Sequence, residues 1–128
     1  MVSKITNGVN VKVNVSFIKK IIKDTIGIHL FEYDIVIENK SEHEIQLLTR
    51  YWLIKDSLNF NIKVSGEGVV GEMPILKSTQ IYEYKSMCAL YGFFGTMSGY
   101  YTFINLDTQE YFRVQIPMFK MNVSYINN

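Results

Sequence analysis

The sequence predicts an all-β chain whose strands pack as a sandwich or a barrel. Apolar and polar residues alternate strictly over long runs, as in Val9, Val11, Val13, Val15 and Phe17 against Asn10, Lys12, Asn14 and Ser16. A period of two puts one set of side chains on one face of a strand. Such runs recur about seven times, separated by short turn-rich breaks, and no segment shows convincing helical periodicity. Residues 66–74 hold three of the eight glycines and one of the two prolines, so they read as a glycine-built loop between strands.

The elements follow in order. The first run, residues 9–17, keeps one face wet, which suits an antiparallel sheet. Residues 18–24 mix Lys19, Lys20 and Lys23 with isoleucines. They are too few for a stable helix on a membrane surface, so a solvated bend or irregular edge is expected. Phe31, Tyr33, Ile35 and Ile37 alternate with Glu32, Asp34 and Glu38 and form the next strand, with a polar turn after Asn39. Residues 46–56 are apolar on both parities, as in a central strand, and Trp52 is the expected core anchor. Phe60, Ile62 and Val64 lead into the glycine stretch; later strands run through Tyr82 and Tyr84, then Met97, Tyr101 and Phe103, with a turn at Asp107-Thr108. The last strand changes phase: Phe112, Val114 and Ile116 are even, whereas Phe119, Met121, Val123 and Tyr125 are odd. A one-residue slip would turn every side chain over, so a bulge at Ile116-Pro117 is expected, with a bend there.

Bulk properties narrow the function classes. The 128 residues suit one domain, large enough to bury a core without staples. A net charge of +1 lacks the basic excess of a nucleic-acid binder. Cys88 is the single cysteine, so no intrachain disulfide forms, as suits a reducing compartment. The N-terminus has no apolar signal region, and no apolar run nears the ~20 residues of a membrane span. A cytoplasmic chain with neither a nucleic-acid nor a membrane partner is expected.

An ordered set of motifs then carries a resemblance. Thr6-x-Gly8-Val9-x-Val11-x-Val13 is followed by Phe31-x-Tyr33-x-Ile35-x-Ile37-x-Asn39 and by Leu47-Leu48-Thr49-Arg50-Tyr51-Trp52-x-Ile54-x-Asp56. The most specific stretch is Gly66-x-Gly68-Val69-Val70-Gly71-Glu72-x-Pro74-x-Leu76. Tyr82-x-Tyr84-x-Ser86, Cys88-x-Leu90, Gly95-x-Met97-x-Gly99-x-Tyr101 and Phe112-x-Val114-x-Ile116-Pro117-x-Phe119 complete it. In these the chain resembles the ApaG family over nearly its whole length. It departs at Tyr51, where the family often has histidine, and at Gly92-Phe93, where it often has Thr-Pro. The resemblance implies an immunoglobulin- or fibronectin type III-like β-sandwich of two antiparallel sheets. It also implies a loose association with cobalt and magnesium efflux, and, from domain company in larger proteins, protein binding.

Candidate sites are read from the residues. Gly66-x-Gly68-x-x-Gly71 has the spacing of a pyrophosphate loop, in which backbone N–H groups approach phosphate oxygens. Its context differs: Glu72 and Pro74 follow instead of a helix, and Glu67 repels an anion. A tight β-connection is the plainer reading, although a backbone nest binds anions without a helix. Arg50 stands in an apolar strand, either paired with Glu72, stacked on a neighbour's Tyr51, or exposed. Glu32 with Asp34, and Glu42-His43-Glu44, sit where solvated residues are expected and fall short of a metal-ligand set. Cys88 has no histidine beside it in sequence. No metal, cofactor or catalytic group is expected. In the second loop, residues 88–99, Tyr91, Phe93 and Phe94 stand among Gly92, Gly95 and Gly99 and either pack on the core or face a partner. The expected function is a non-enzymatic module that offers two loops to a protein, or to a second copy of itself as a homodimer. In the first the residues are Gly66, Gly68, Gly71, Glu72 and Pro74 with Arg50 and Trp52 beneath. In the second they are Tyr91, Phe93, Phe94, Gly95 and Gly99. The alternative is an anion, pyrophosphate or nucleotide sensor at Gly66-x-Gly68-x-x-Gly71.

Overall fold

The computed structural model describes residues 1–123, so Tyr125 of the last predicted strand lies outside the described residues. The strands are β1 (Val2–Thr6), β2 (Val9–Lys23), β3 (Ile26–Asn39), β4 (Ile45–Asp56), β5 (Ile62–Glu67), β6 (Ile75–Leu76), β7 (Ile81–Leu90), β8 (Phe94–Asn105) and β9 (Tyr111–Asn122). One sheet has the order β1-β2-β3-β7; the other has β5-β4-β8-β9, with β6 paired to β4. Every pairing is antiparallel. This is the two-sheet sandwich that the family resemblance implied, and one of the two architectures that the alternation allowed. Seven strands were expected and nine are found among the described residues. The additional two are β1, almost wholly exposed at a sheet edge, and the two-residue β6.

Three two-residue hairpin turns have positive φ at both central positions: Asn7-Gly8, Asp24-Thr25 and Val70-Gly71. That backbone twist matches the twist of the flanking strands. The second turn corrects the sequence reading of residues 18–24. They are no bend, because β2 continues to Lys23, which pairs with Ile26. A register shift between Phe17 and Lys19 leaves Ile18 as an extra residue, and this broke the visible alternation.

The expected bulge in β9 is present. Met97 pairs with Phe119 while Gly99 pairs with Ile116, so β9 holds one extra residue around Pro117-Met118. Val114 and Ile116 before it, and Phe119, Met121 and Val123 after it, are therefore all buried. A third shift, between Leu47 and Thr49, explains why β4 is apolar on both parities. Ile45 and Leu47 point inward before it; Trp52 points inward after it.

Along one side of the sandwich β9 packs against β1 and β2. Along the other, β5 and β7 are edge strands, and a cleft runs between them.

Candidate functional site

The glycine stretch is a hairpin rather than a phosphate cradle. Val69 N–H donates to Glu72 C=O at 2.8 Å and Glu72 N–H donates to Val69 C=O at 2.9 Å, closing the turn around Val70 and Gly71. At Gly68, φ is +63° and an added Cβ would lie 2.3 Å from the Glu72 carbonyl oxygen. At Gly66 it would lie 3.1 Å from both terminal nitrogens of Arg50. The first is a crossing of backbones, the second a seat for the guanidinium. Gly68 N–H donates to Leu48 C=O at 2.8 Å. The N–H groups of Gly68, Val69 and Glu72 are thus already bonded to carbonyls, whereas an anion nest needs them free.

Arg50 is the brace of this hairpin. The Leu48 bulge turns it to the inner side of β4, and its Nη1 donates to the carbonyls of Glu67 and Gly68, each at 2.9 Å. Glu72 instead accepts a hydrogen bond from the Tyr82 hydroxyl at 3.0 Å. Tyr51 stacks within its own sheet on Tyr100, with ring centroids 5.0 Å apart. Pro74 C=O accepts from Leu47 N–H at 3.0 Å and fastens the return of the hairpin to β4.

Below Arg50 the cleft between the sheets holds about 310 Å³, lined among others by Tyr33, Trp52, Tyr84 and Ser86. Trp52 is core, in edge-on contact with Tyr33 at 5.5 Å and Phe119 at 5.9 Å. Burial pushes the Tyr33 and Tyr84 phenols up, so both stay protonated, and Tyr84 shares a hydroxyl hydrogen bond with Tyr101. Cys88 borders the same cleft. Its burial, followed by the charge of Asp56, pushes its thiol up to about 11, the opposite of an activated nucleophile. His29 shares no hydrogen bond with it, and His43 bonds Asp107 at 3.0 Å on the surface. Among the described residues no three His, Cys, Asp or Glu side chains converge as a metal site would require.

The aromatic loop lies at the far end of β4. Its backbone is fixed by Asp56, whose carboxylate accepts from the N–H groups of Tyr91 at 2.6 Å, Gly92 at 2.9 Å and Leu58 at 3.0 Å. Phe93 C=O accepts from Val123 N–H, and Phe94 C=O accepts from Ser57 N–H. The rings project outward: Tyr91, Phe93 and Phe94 are 44%, 43% and 60% exposed. Gly95 and Gly99 are not part of that display. They sit inside β8, where a Cβ would come within 2.3 Å of Lys55 C=O and 1.9 Å of Tyr51 C=O. They let β4 and β8 approach closely.

The two expected loops stand at separate places on the sandwich. Arg50 and Asp56 mark their two places on β4, about 20 Å apart at strand rise. Leu58 and Phe60 of the β4–β5 connection are 71% and 90% exposed, and Ile22 and Ile26 flank the β2–β3 turn. Of these, Ile26 and Leu58 line a cavity together with Tyr91 and Phe93 of the aromatic loop. Sequence reasoning missed Ile22, Ile26, Leu58 and Phe60. The signal was available for Leu58, a large apolar residue inside the turn-like run 56–59; Phe60 was assigned to the next strand, which in the structure begins only at Ile62.

The class of protein defined here is a two-sheet antiparallel sandwich with loops braced by Arg50 and Asp56. The comparisons give its family. The family model of the ApaG domain matches residues 22–105. The Protein ApaG of Proteus mirabilis is 38% identical over 100 residues, covering 78% of this chain and 79% of that one. The Protein ApaG of Shewanella sediminis is 37% identical over 121 residues, covering 94% and 95%. A structural-genomics target solved by X-ray diffraction superposes with a TM-score of 0.86 at 33% identity, covering 91% of this chain and 87% of that one. A crystal structure from Bordetella pertussis, provisionally described as ApaA, gives 0.82 at 30% identity, covering 89% and 92%. The chain belongs to the ApaG family. The names of these curated relatives state no reaction. No helix among the described residues is long and apolar enough to cross a membrane.

Proposed function

We propose that this chain is a non-enzymatic binding module that holds a protein partner at the aromatic end of the sandwich. One observation carries this: connections from both sheets bring exposed apolar side chains to that end over a backbone tied down by Asp56. Loops on a rigid scaffold bind with little ordering cost, and aromatic side chains supply most of the energy of an interface. The partner is another protein or, as a homodimer, a second copy. An accessory part in cobalt or magnesium homeostasis, inside the cytoplasm, would act through that partner.

The test is capture from native lysate with wild type and a Phe60→Ser/Phe94→Ser variant. Both side chains are exposed, so folding should survive. Loss of a specific partner in the variant supports the reading; equal recovery of every captured protein from both opposes it. The second reading, an anion or pyrophosphate sensor, is favoured by Arg50 in its cleft and disfavoured by the committed hairpin amides. Isothermal titration with pyrophosphate decides it.

A further inference from the structure

His29 is the buried polar group that nothing described so far uses. It is 3% exposed, and neither ring nitrogen has a hydrogen-bond partner among the described residues. Whatever its tautomer, an imidazole carries at least one N–H donor. Leaving such a group unsatisfied carries a desolvation cost that a bound partner would relieve. His29 borders a cavity of about 590 Å³ at the aromatic end, with Lys20, Ile26, Leu58, Tyr91 and Phe93 around it. That volume suits one large side chain or a small organic ligand.

The Ile18 bulge places Lys20 directly across from His29 in the β2–β3 register. A Cβ on Gly27 would meet the Lys20 Cε at 2.7 Å and Nζ at 3.3 Å, so the missing side chain leaves room for the ammonium. The cavity lining contains no Asp or Glu. The nearby Asp56 carboxylate is taken up by three backbone N–H groups. The wall is apolar apart from Asn59 and the Tyr91 hydroxyl, and its charged end offers an ammonium beside an imidazole. Phe93 covers the imidazole, ring to ring at 4.9 Å. Its backbone is held at Val123, but its ring is 43% exposed, so a rotation of the side chain opens the cavity face of His29, with Phe17 remaining against the ring at 6.3 Å.

We infer that this cavity is a binding site for the chain terminus of a protein partner that ends in an apolar residue. The apolar side chain displaces the Phe93 ring, and the terminal carboxylate lies between Lys20 and His29. This rests on the reading of the aromatic end as a protein interface and names what that interface recognises.

The test uses the intact protein and a fluorescent peptide, Gly-Ser-Gly-Ser-Phe-Leu, as the free acid and as the C-terminal amide. The free acid should bind saturably, with the amide weaker by about tenfold or more. Lys20→Met should weaken the acid but not the amide, and raised salt should do the same. His29→Leu should abolish the preference for the acid; Lys20→Met keeps the test decisive should His29→Leu fail to fold. Equal binding of acid and amide, or binding of neither, overturns the proposal. So does binding of hexanoate without the peptide, which would make the cavity a small-acid site. Undiminished peptide affinity in Phe60→Ser/Phe94→Ser supports the cavity on its own, so a failed partner capture and a failed peptide titration are read separately.

Discussion

Arg50 works by geometry as much as by charge. Its guanidinium reaches two successive carbonyls because Gly66 has no side chain in the way. Arg50→Met should lower the urea midpoint by the equivalent of about 1–3 kcal/mol, since two carbonyls lose a charged donor. Arg50→Lys should not restore it, because both bonds come from Nη1, which lies one covalent bond beyond the reach of a lysine Nζ. An unchanged midpoint in Arg50→Met would remove Arg50 from the account of the hairpin. Cys88 makes a second prediction. Its thiol is raised from 9.0 to about 11, so the folded state keeps a proton that the unfolded state releases. The stabilisation is full below pH 9 and is lost as pH rises toward 11, about 2–3 kcal/mol in all. Denaturation midpoints across this range should fall more steeply in wild type than in Cys88→Ala. Part of the slope should remain, because Tyr33, Tyr84 and Tyr101 are also held protonated by burial. Identical slopes would mean the thiol is not held as described. Neither role could be read from residue type. Arg50 faces inward only because of a bulge two residues earlier, and the seating of Cys88 depends on strands distant in sequence.

At the scale of elements, bulges decide which side chains meet. The β9 bulge was legible because apolar residues change parity across a proline. The β4 bulge showed only as an apolar run on both parities, which also fits a strand covered on both faces. The β2 bulge was hidden, since Ile18 and three lysines imitate an irregular edge. The Asn7-Gly8 turn was a readable hairpin signal, and β1 follows from it. The β9 bulge gives a sharp contrast. Met118 is 55% exposed, so Met118→Ala should melt within a few degrees of wild type. Deleting Met118 should turn Phe119, Met121 and Val123 outward. At roughly 1.5–3 kcal/mol per side chain, that approaches the whole stability of a small domain. Circular dichroism melts compare the two directly. A deletion that melts like wild type would show that the extra residue is not what keeps the strand in register.

At the scale of the molecule, β4 separates the two loops that the sequence singled out. The glycine hairpin is pinned by Arg50, and its Gly68, Val69 and Glu72 amides are bonded to carbonyls; the aromatic loop is pinned by Asp56, and its rings are exposed. Which end each loop occupies depends on strand order, and strand order is not written in alternation. The all-β class was legible in the alternation, and the choice of two sheets over a barrel came from the family resemblance; the placement of Ile26 and Leu58 around one mouth was not legible. The central claim is that this mouth is where a partner sits. Hydroxyl-radical footprinting of the chain, free and bound to a captured partner, tests it most directly. The account predicts protection at Leu58, Phe60, Tyr91 and Phe94, with Val70 and Met73 unchanged. Protection confined to the glycine hairpin, with the four apolar residues as reactive as in the free chain, would contradict it.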